Sequence, residues 1–196
     1  MSNPLPIFPL GDMVLYPGVV TEFYIFEPRY VQMVEHCLDS KGQFCFATLI
    51  GNWKELYHEN PEMHTHGCVC SIEEYQKHSD GKYSILVKGL YKAEIREIPS
   101  EQLYRISQPK KLEYIDDITS SAEDDLIVRN FIKRVLTKQL HDANEDSINS
   151  IIDDMELGKF LSILSFQSKL STEKKLEILK ESSLKKIFME ISQAPE

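Results

Sequence analysis

Apolar positions run in short alternating blocks through the first half of the chain and recur every three to four residues through the second. Residues 19–26 (VVTEFYIF) and 43–50 (QFCFATLI) are rich in β-branched and aromatic side chains and predict strands. Between them Glu27-Pro28-Arg29-Tyr30 opens a short helix, with Pro28 suited to the first helical position because it has no donor to leave unpaired. Tyr30, Val31, Val34, Cys37 and Leu38 then give that helix one apolar face. Residues 67–75 and 82–90 predict a hairpin across Ser79-Asp80-Gly81, where an Asp-Gly pair tolerates positive φ. Residues 91–98 and 103–114 read as two further strands.

The period changes near residue 116. Residues 116–121 form a polar connector, and Ser121 followed by Asp124 resembles a capping box. Glu123, Asp124 and Asp125 fill a first turn, where the helix dipole favours negative charge. Val128, Ile132, Val135, Leu136 and Leu140 make a stripe that carries this helix to about residue 140. Helical spacing returns at Ile148, Ile151, Ile152 and Met155, and again at Leu157, Phe160, Leu161 and Leu164. A last helix follows Ser171, with Leu176, Leu179, Ile187, Phe188 and Ile191 turned inward. The expected fold class is α+β: a strand-rich subdomain over 1–115, small and closed or half-closed, then a helical bundle over 116–196.

Composition narrows the function. The 196 residues carry 22 basic and 31 acidic side chains, a net charge of −9. Residues 1–115 hold 11 basic and 15 acidic groups and residues 116–196 hold 11 and 16, so neither half offers the basic surface that phosphate backbones need. The N-terminus lacks a basic region and an apolar core and is broken by Pro4, Pro6 and Pro9, which argues against a signal peptide. No run approaches the roughly 18 apolar residues that span a bilayer. A cytoplasmic location without membrane contact is expected, with Cys37, Cys45, Cys68 and Cys70 as reduced thiols.

Familiar catalytic patterns are missing: no G-x-x-x-x-G-K-[ST], G-x-G-x-x-G, H-E-x-x-H or G-x-S-x-G occurs. His36 and Cys37 are adjacent on a helix and point about 100° apart, so they cannot pair as base and nucleophile. His64, His66, Cys68 and Cys70 alternate as zinc-type ligands would. Four such residues on one strand span ~20 Å, beyond one coordination shell. The plainer reading makes the cysteines core residues and places the histidines in a loop; no metal or cofactor is expected. Residues 51–63 hold the single tryptophan, Trp53, with Leu56, Tyr57 and Met63. Such a segment either grips a partner or folds back over an open barrel end.

Pro6-Ile7-Phe8-Pro9-Leu10, Leu15-Tyr16-Pro17-Gly18 and Ile25-Phe26-Glu27-Pro28-Arg29-Tyr30 resemble the opening of the Lon protease N-terminal domain family. Gly67, Asp80-Gly81-Lys82, Gly89 and the stretches 157–164 and 173–182 extend the resemblance over nearly the whole chain. Lys92-Ala93 departs from the Gly…Arg-Phe/Tyr pattern usual there, and residues 51–64 match no family pattern. The resemblance implies a six-stranded PUA-like pseudo-barrel with a short helix, followed by a helical subdomain. It also implies a non-catalytic polypeptide-binding module that could serve protein quality control. The chain ends at Glu196, before an ATPase or Ser–Lys protease could fit, so neither activity is expected. Unfolded or exposed polypeptide segments are the expected partners, with a separate ATPase or protease as a further class. Trp53, Leu56, Tyr57 and Met63 are the candidate binding surface. The motif residues Pro9, Pro17, Gly18, Phe26, Glu27, Pro28, Arg29, Tyr30, Gly67, Asp80, Gly81 and Gly89 are assigned structural roles, Glu27 and Arg29 as a pair at the helix entrance. RNA binding by the PUA-like barrel is the alternative, disfavoured by charge; an enzyme with an unfamiliar site is another.

Overall fold

The computed structural model describes residues 3–140 and 144–194. Six strands come first: β1 (Leu5–Leu10), β2 (Val20–Ile25), β3 (Gln43–Leu49), β4 (Met63–Lys77), β5 (Tyr83–Ile98) and β6 (Ile106–Lys111). Helix α1 (Pro28–Leu38) joins β2 to β3, and α2 (Ala122–Gln139), α3 (Glu145–Asp154), α4 (Leu157–Gln167), α5 (Thr172–Lys180) and α6 (Leu184–Ser192) follow the sheet. The chain is therefore α+β.

The sheet runs β2-β5-β4-β3-β1-β6, and β6 also pairs with β5. Five strands thus close on one another while β2 hangs on the outside of β5. The long β5 makes this possible: residues 83–88 pair with β2 and residues 93–98 with β6. Alternation of side chains feeds two cores from the same strands. Phe8, Phe44, Phe46, Cys68 and Cys70 face a large cluster shared with α1 and the later helices. Their neighbours Ile7, Cys45, Ala47, Val69 and Ala93 form a small second cluster. In the large one the Phe8 ring meets Phe23 and Tyr30 edge-on at 5.4 and 4.9 Å.

Three sequence expectations need correction, and one strand, β1, had no counterpart among them. Strand β1 was not signalled by alternation, because Pro6 and Pro9 interrupt it; yet β6 pairs with it only at Leu5 and Pro6, and β3 only from Ile7 to Leu10, so neither proline lies where both edges are paired. The stretches 82–90 and 91–98 are one strand; it carries an extra residue at Leu90, where the β4 partners step from Val69↔Tyr91 to Cys70↔Gly89. Residues 103–105 precede β6 instead of starting a strand. The last helix is two, because Glu181 takes the Ser182 and Ser183 amides at 2.8 and 2.9 Å and Ser183 caps α6. Smaller details differ too. Asp80 does not adopt positive φ; Gly81 does (+82°), and the Asp80 carboxylate accepts the Lys82 amide instead. Ser121 accepts the Asp124 amide, but its own amide goes to the Ile118 carbonyl, so only one arm of the capping box forms.

The helices are tied to the sheet by polar contacts as well as by the core. Lys92, almost fully buried, donates to the Glu181 carbonyl at 2.5 Å and lies 4.1 Å over the Tyr114 ring. Burial lowers its pKa to about 8. Tyr16 donates to the Lys175 carbonyl at 2.5 Å, and the Ile115 amide to the Ser182 carbonyl at 2.8 Å.

Candidate functional site

Helix α1 begins where β2 ends, and its first residues point to the end of the barrel. Glu27 is its N-cap by backbone geometry but makes no capping bond; the carboxylate turns to Arg29 at 2.9 Å and accepts the Tyr57 hydroxyl at 2.5 Å. The Arg29 guanidinium lies 4.7 Å from the Tyr30 ring and 5.0 Å from the Tyr57 ring, so it sits between two aromatic faces. The segment between β3 and β4 is held against this stack. It makes one 3-10 turn at Tyr57–Glu59 and reverses at Asn60, which has φ +57°. Opposite stand Leu103, Tyr104 and Arg105. Arg105 pairs with Glu97, with Nε–Oε1 at 2.8 Å, and donates to the Pro61 carbonyl at 2.8 Å. A pocket opens between Arg29, Tyr30 and Tyr57 on one side and Leu103, Tyr104 and Arg105 on the other, with Pro9 and Leu49 completing it.

Both guanidiniums are already matched by carboxylates. Tyr57 is pushed up by burial and by its bond to Glu27, and Tyr30 is pushed up by burial. Neither tyrosine is poised to trade a proton near neutral pH. Of the lining residues Leu103 is the exposed apolar one, at 66%; Leu56, next to Tyr57 in the chain, is 44% exposed.

The four candidate binding residues part company here. Tyr57 lines the pocket and Leu56 is exposed next to it. Trp53 is turned inward, its ring 6.2 Å from that of Tyr57 and lying over Gly11. Met63 is the first residue of β4, opposite Leu49, and packs on the small core cluster. Of the motif residues, Pro9, Arg29 and Tyr30 line the pocket and Glu27 and Pro28 start the helix that carries Arg29, while Phe26 is exposed and stacks on Tyr24. Pro17 and Gly18 turn the chain into β2, Asp80 and Gly81 turn the β4–β5 hairpin, and Gly67 and Gly89 lie where backbones nearly touch. Leu103, Tyr104 and Arg105 were not singled out from the sequence; the lone Leu103 directly after the polar run 99–102 was the one available signal.

The histidines expected in a loop lie on β4, because that strand starts at Met63. Burial and the nearby Lys180 charge lower the pKa of both His64 and His66. Cys68 and Cys70 are buried in the large cluster. Among the described residues no three His, Cys, Asp or Glu side chains converge as metal ligands. No helix among them is long and apolar enough to cross a membrane.

A methyl group on Gly11 would overlap the Trp53 ring, reaching 2.6 Å from Cη2. Gly11→Ala is therefore expected to expel the indole, at about 1–3 kcal/mol of stability. Because Trp53 is the single tryptophan, its emission should shift to the red in the folded variant; an unshifted spectrum would contradict this packing.

The family model described as the ATP-dependent protease La (LON) substrate-binding domain matches residues 4–193. A Lon protease of Escherichia coli K12 is 28% identical over 163 residues, covering 79% of this chain and 20% of that protein. The Lon protease of Buchnera aphidicola is 25% identical over 168 residues, covering 81% of this chain and 21% of its own length. The chain thus spans about a fifth of the curated relatives it matches. Among solved structures, a Lon N-terminal domain protein from Xanthomonas campestris superposes with a TM-score of 0.70 at 20% identity, covering 98% of this chain and 99% of that one. Similarity at that identity establishes the fold.

Proposed function

The chain belongs to the family of Lon substrate-binding domains, and from that membership we propose that it is a non-catalytic module that recognises unfolded or exposed polypeptide segments. The barrel reads as PUA-like and the helices after it as a supporting bundle. A cytoplasmic role in protein quality control, beside an ATPase or protease, fits this reading. The observation that carries it is the pocket at the barrel end, where exposed Leu103 stands across from a stack of Tyr57, Arg29 and Tyr30. Apolar anchors around a rigid aromatic–arginine centre are what interface hot spots are made of. The net charge of −9 supports protein over nucleic acid as the partner.

Leu103→Ser tests the surface. Dye-labelled, reduced and carboxymethylated α-lactalbumin, a permanently unfolded protein, serves as client in an anisotropy titration. Losing one well-buried leucine contact should raise Kd about tenfold. Since Leu103 is two-thirds exposed in the free protein, the melting temperature should not move. Unchanged affinity would exclude this pocket as the binding surface.

A further inference from the structure

Strand β2 is an edge. Its hydrogen-bonded neighbour is β5, paired without interruption from Val20↔Lys88 to Ile25↔Tyr83, and among the described residues no other strand pairs with it. The Gly89 amide donates to the Val19 carbonyl at 2.9 Å, so in an antiparallel ladder Thr21, Phe23 and Ile25 also bond to β5. The amides and carbonyls of Val20, Glu22 and Tyr24 then point to the open side. The side chains of those three residues are exposed, Val20 and Tyr24 by about half, and Phe26 stacks on Tyr24 at 6.2 Å. Proteins usually blunt such an edge with lysine, proline, a bulge or a covering element. Val-Thr-Glu-Phe-Tyr-Ile has no lysine, proline or bulge. Its one charge is Glu22, which among the described residues makes no ion pair.

We propose that the open edge of β2 takes an extended client segment as an added antiparallel strand, with a basic residue opposite Glu22 and apolar residues two positions away on either side, facing Val20 and Tyr24. The inference rests on the polypeptide-recognition reading and specifies its mode. Three residues of β2 offer up to six main-chain hydrogen bonds, which read no sequence and so suit varied clients. Side chains then select: Val20 and Tyr24 offer apolar contacts, and Glu22 a charge between them. A second copy of this chain is a poorer occupant. Setting Val20 against the Tyr24 of a symmetric partner puts Glu22 directly opposite its own copy, and like charges so placed destabilise a pair.

The probe is a blocked heptapeptide with valine, arginine and valine at alternate positions, separated and flanked by threonine. The parent protein should bind it, and binding should protect the amides of Val20, Glu22 and Tyr24 from hydrogen exchange. Those of Thr21, Phe23 and Ile25 should be slow already in the free protein. Glu22→Lys, at an exposed position, should keep its melting temperature, weaken the arginine peptide about tenfold and bind the glutamate-centred peptide better in its place. A methyl group on the central arginine amide should abolish binding. The edge proposal falls if the peptide binds without protecting those amides, or if Glu22→Lys leaves the preference unaltered. It also falls if the three amides are protected in a free protein of dimeric mass, with a second copy on the edge. If unfolded α-lactalbumin binds while the peptide does not, the edge mode is wrong and the recognition reading stands. If neither binds, both are wrong.

Discussion

Gly89→Ala is expected to cost at least about 3 kcal/mol and to lower the melting temperature by roughly 6–12 °C. Gly89 passes under the turn that leads into β2, and the two backbones are stitched together: the Gly18 amide donates to the Gly89 carbonyl at 2.8 Å, and the Gly89 amide to Val19. A methyl group at Gly89 would be driven into the Tyr16 carbonyl, 2.9 Å from its carbon and 3.1 Å from Cys68 Sγ. A carbonyl cannot rotate away as a side chain can, so either the turn lifts off the strand or the methyl group is forced into overlap. Tyr16 also bonds to α5, so the disturbance reaches the contact between sheet and helices. The control is Gly51→Asn. Gly51 has φ +64° and no heavy atom near its missing Cβ, and asparagine tolerates that conformation, so the loss should stay below about 1 kcal/mol. Urea unfolding of the two variants decides; a near-parental Gly89→Ala would contradict the close approach.

The second large effect is alkaline. Burial pushes the Cys37 and Cys45 thiols up to about 12 and Cys70 well above its ordinary value. In an unfolded chain a thiol ionises near 8.5. A group whose folded pKa is raised contributes stability that is whole below the unfolded pKa and is lost as pH climbs toward the folded one. Each thiol therefore removes up to about 1.4 kcal/mol per pH unit above about pH 9. Lys92 works the other way: its pKa, lowered to about 8 by burial, lets folding gain as pH rises from 8 to its unfolded value near 10.4. Three thiols outweigh one amine, leaving a net loss of about 2.7 kcal/mol per pH unit between about pH 9 and 10. Above pH 10 Tyr16 and Tyr114, both raised chiefly by burial, steepen the loss. Urea midpoints, measured with reductant present, should hold steady from about pH 7 to 8 and fall sharply above 9. Cys70→Ala should flatten that fall. A midpoint unchanged through pH 10 would mean that these thiols are accessible in the folded protein.

Much of the fold could be read from local pattern, because local chemistry decides it. Pro28 starts α1, and Ser121 and Ser171 cap the helices they precede. The alternation in β2 reflects one covered face, and the run in β3 reflects two, since its side chains feed both core clusters. Strand β1 was hidden because its prolines are tolerated only through the way its two partners divide it, a tertiary fact. The break between α5 and α6 was masked because Leu176, Leu179, Ile187 and Ile191 stay nearly in phase across it. The barrel-end site was half visible. Glu27 and Arg29 are two residues apart and could be paired from the sequence, and residues 51–63 drew notice for their aromatics. That Tyr57 closes on Glu27, or that Arg105 holds Pro61, depends on contacts 30 and 44 residues apart, which no local period encodes.

On the function we propose, this chain holds polypeptides by surface they expose only when unfolded. The direct measurement compares binding of native α-lactalbumin with its reduced, carboxymethylated form, without ATP. The account predicts saturable binding of the unfolded form and none of the native one; equal binding of the two, or binding of neither, would contradict it.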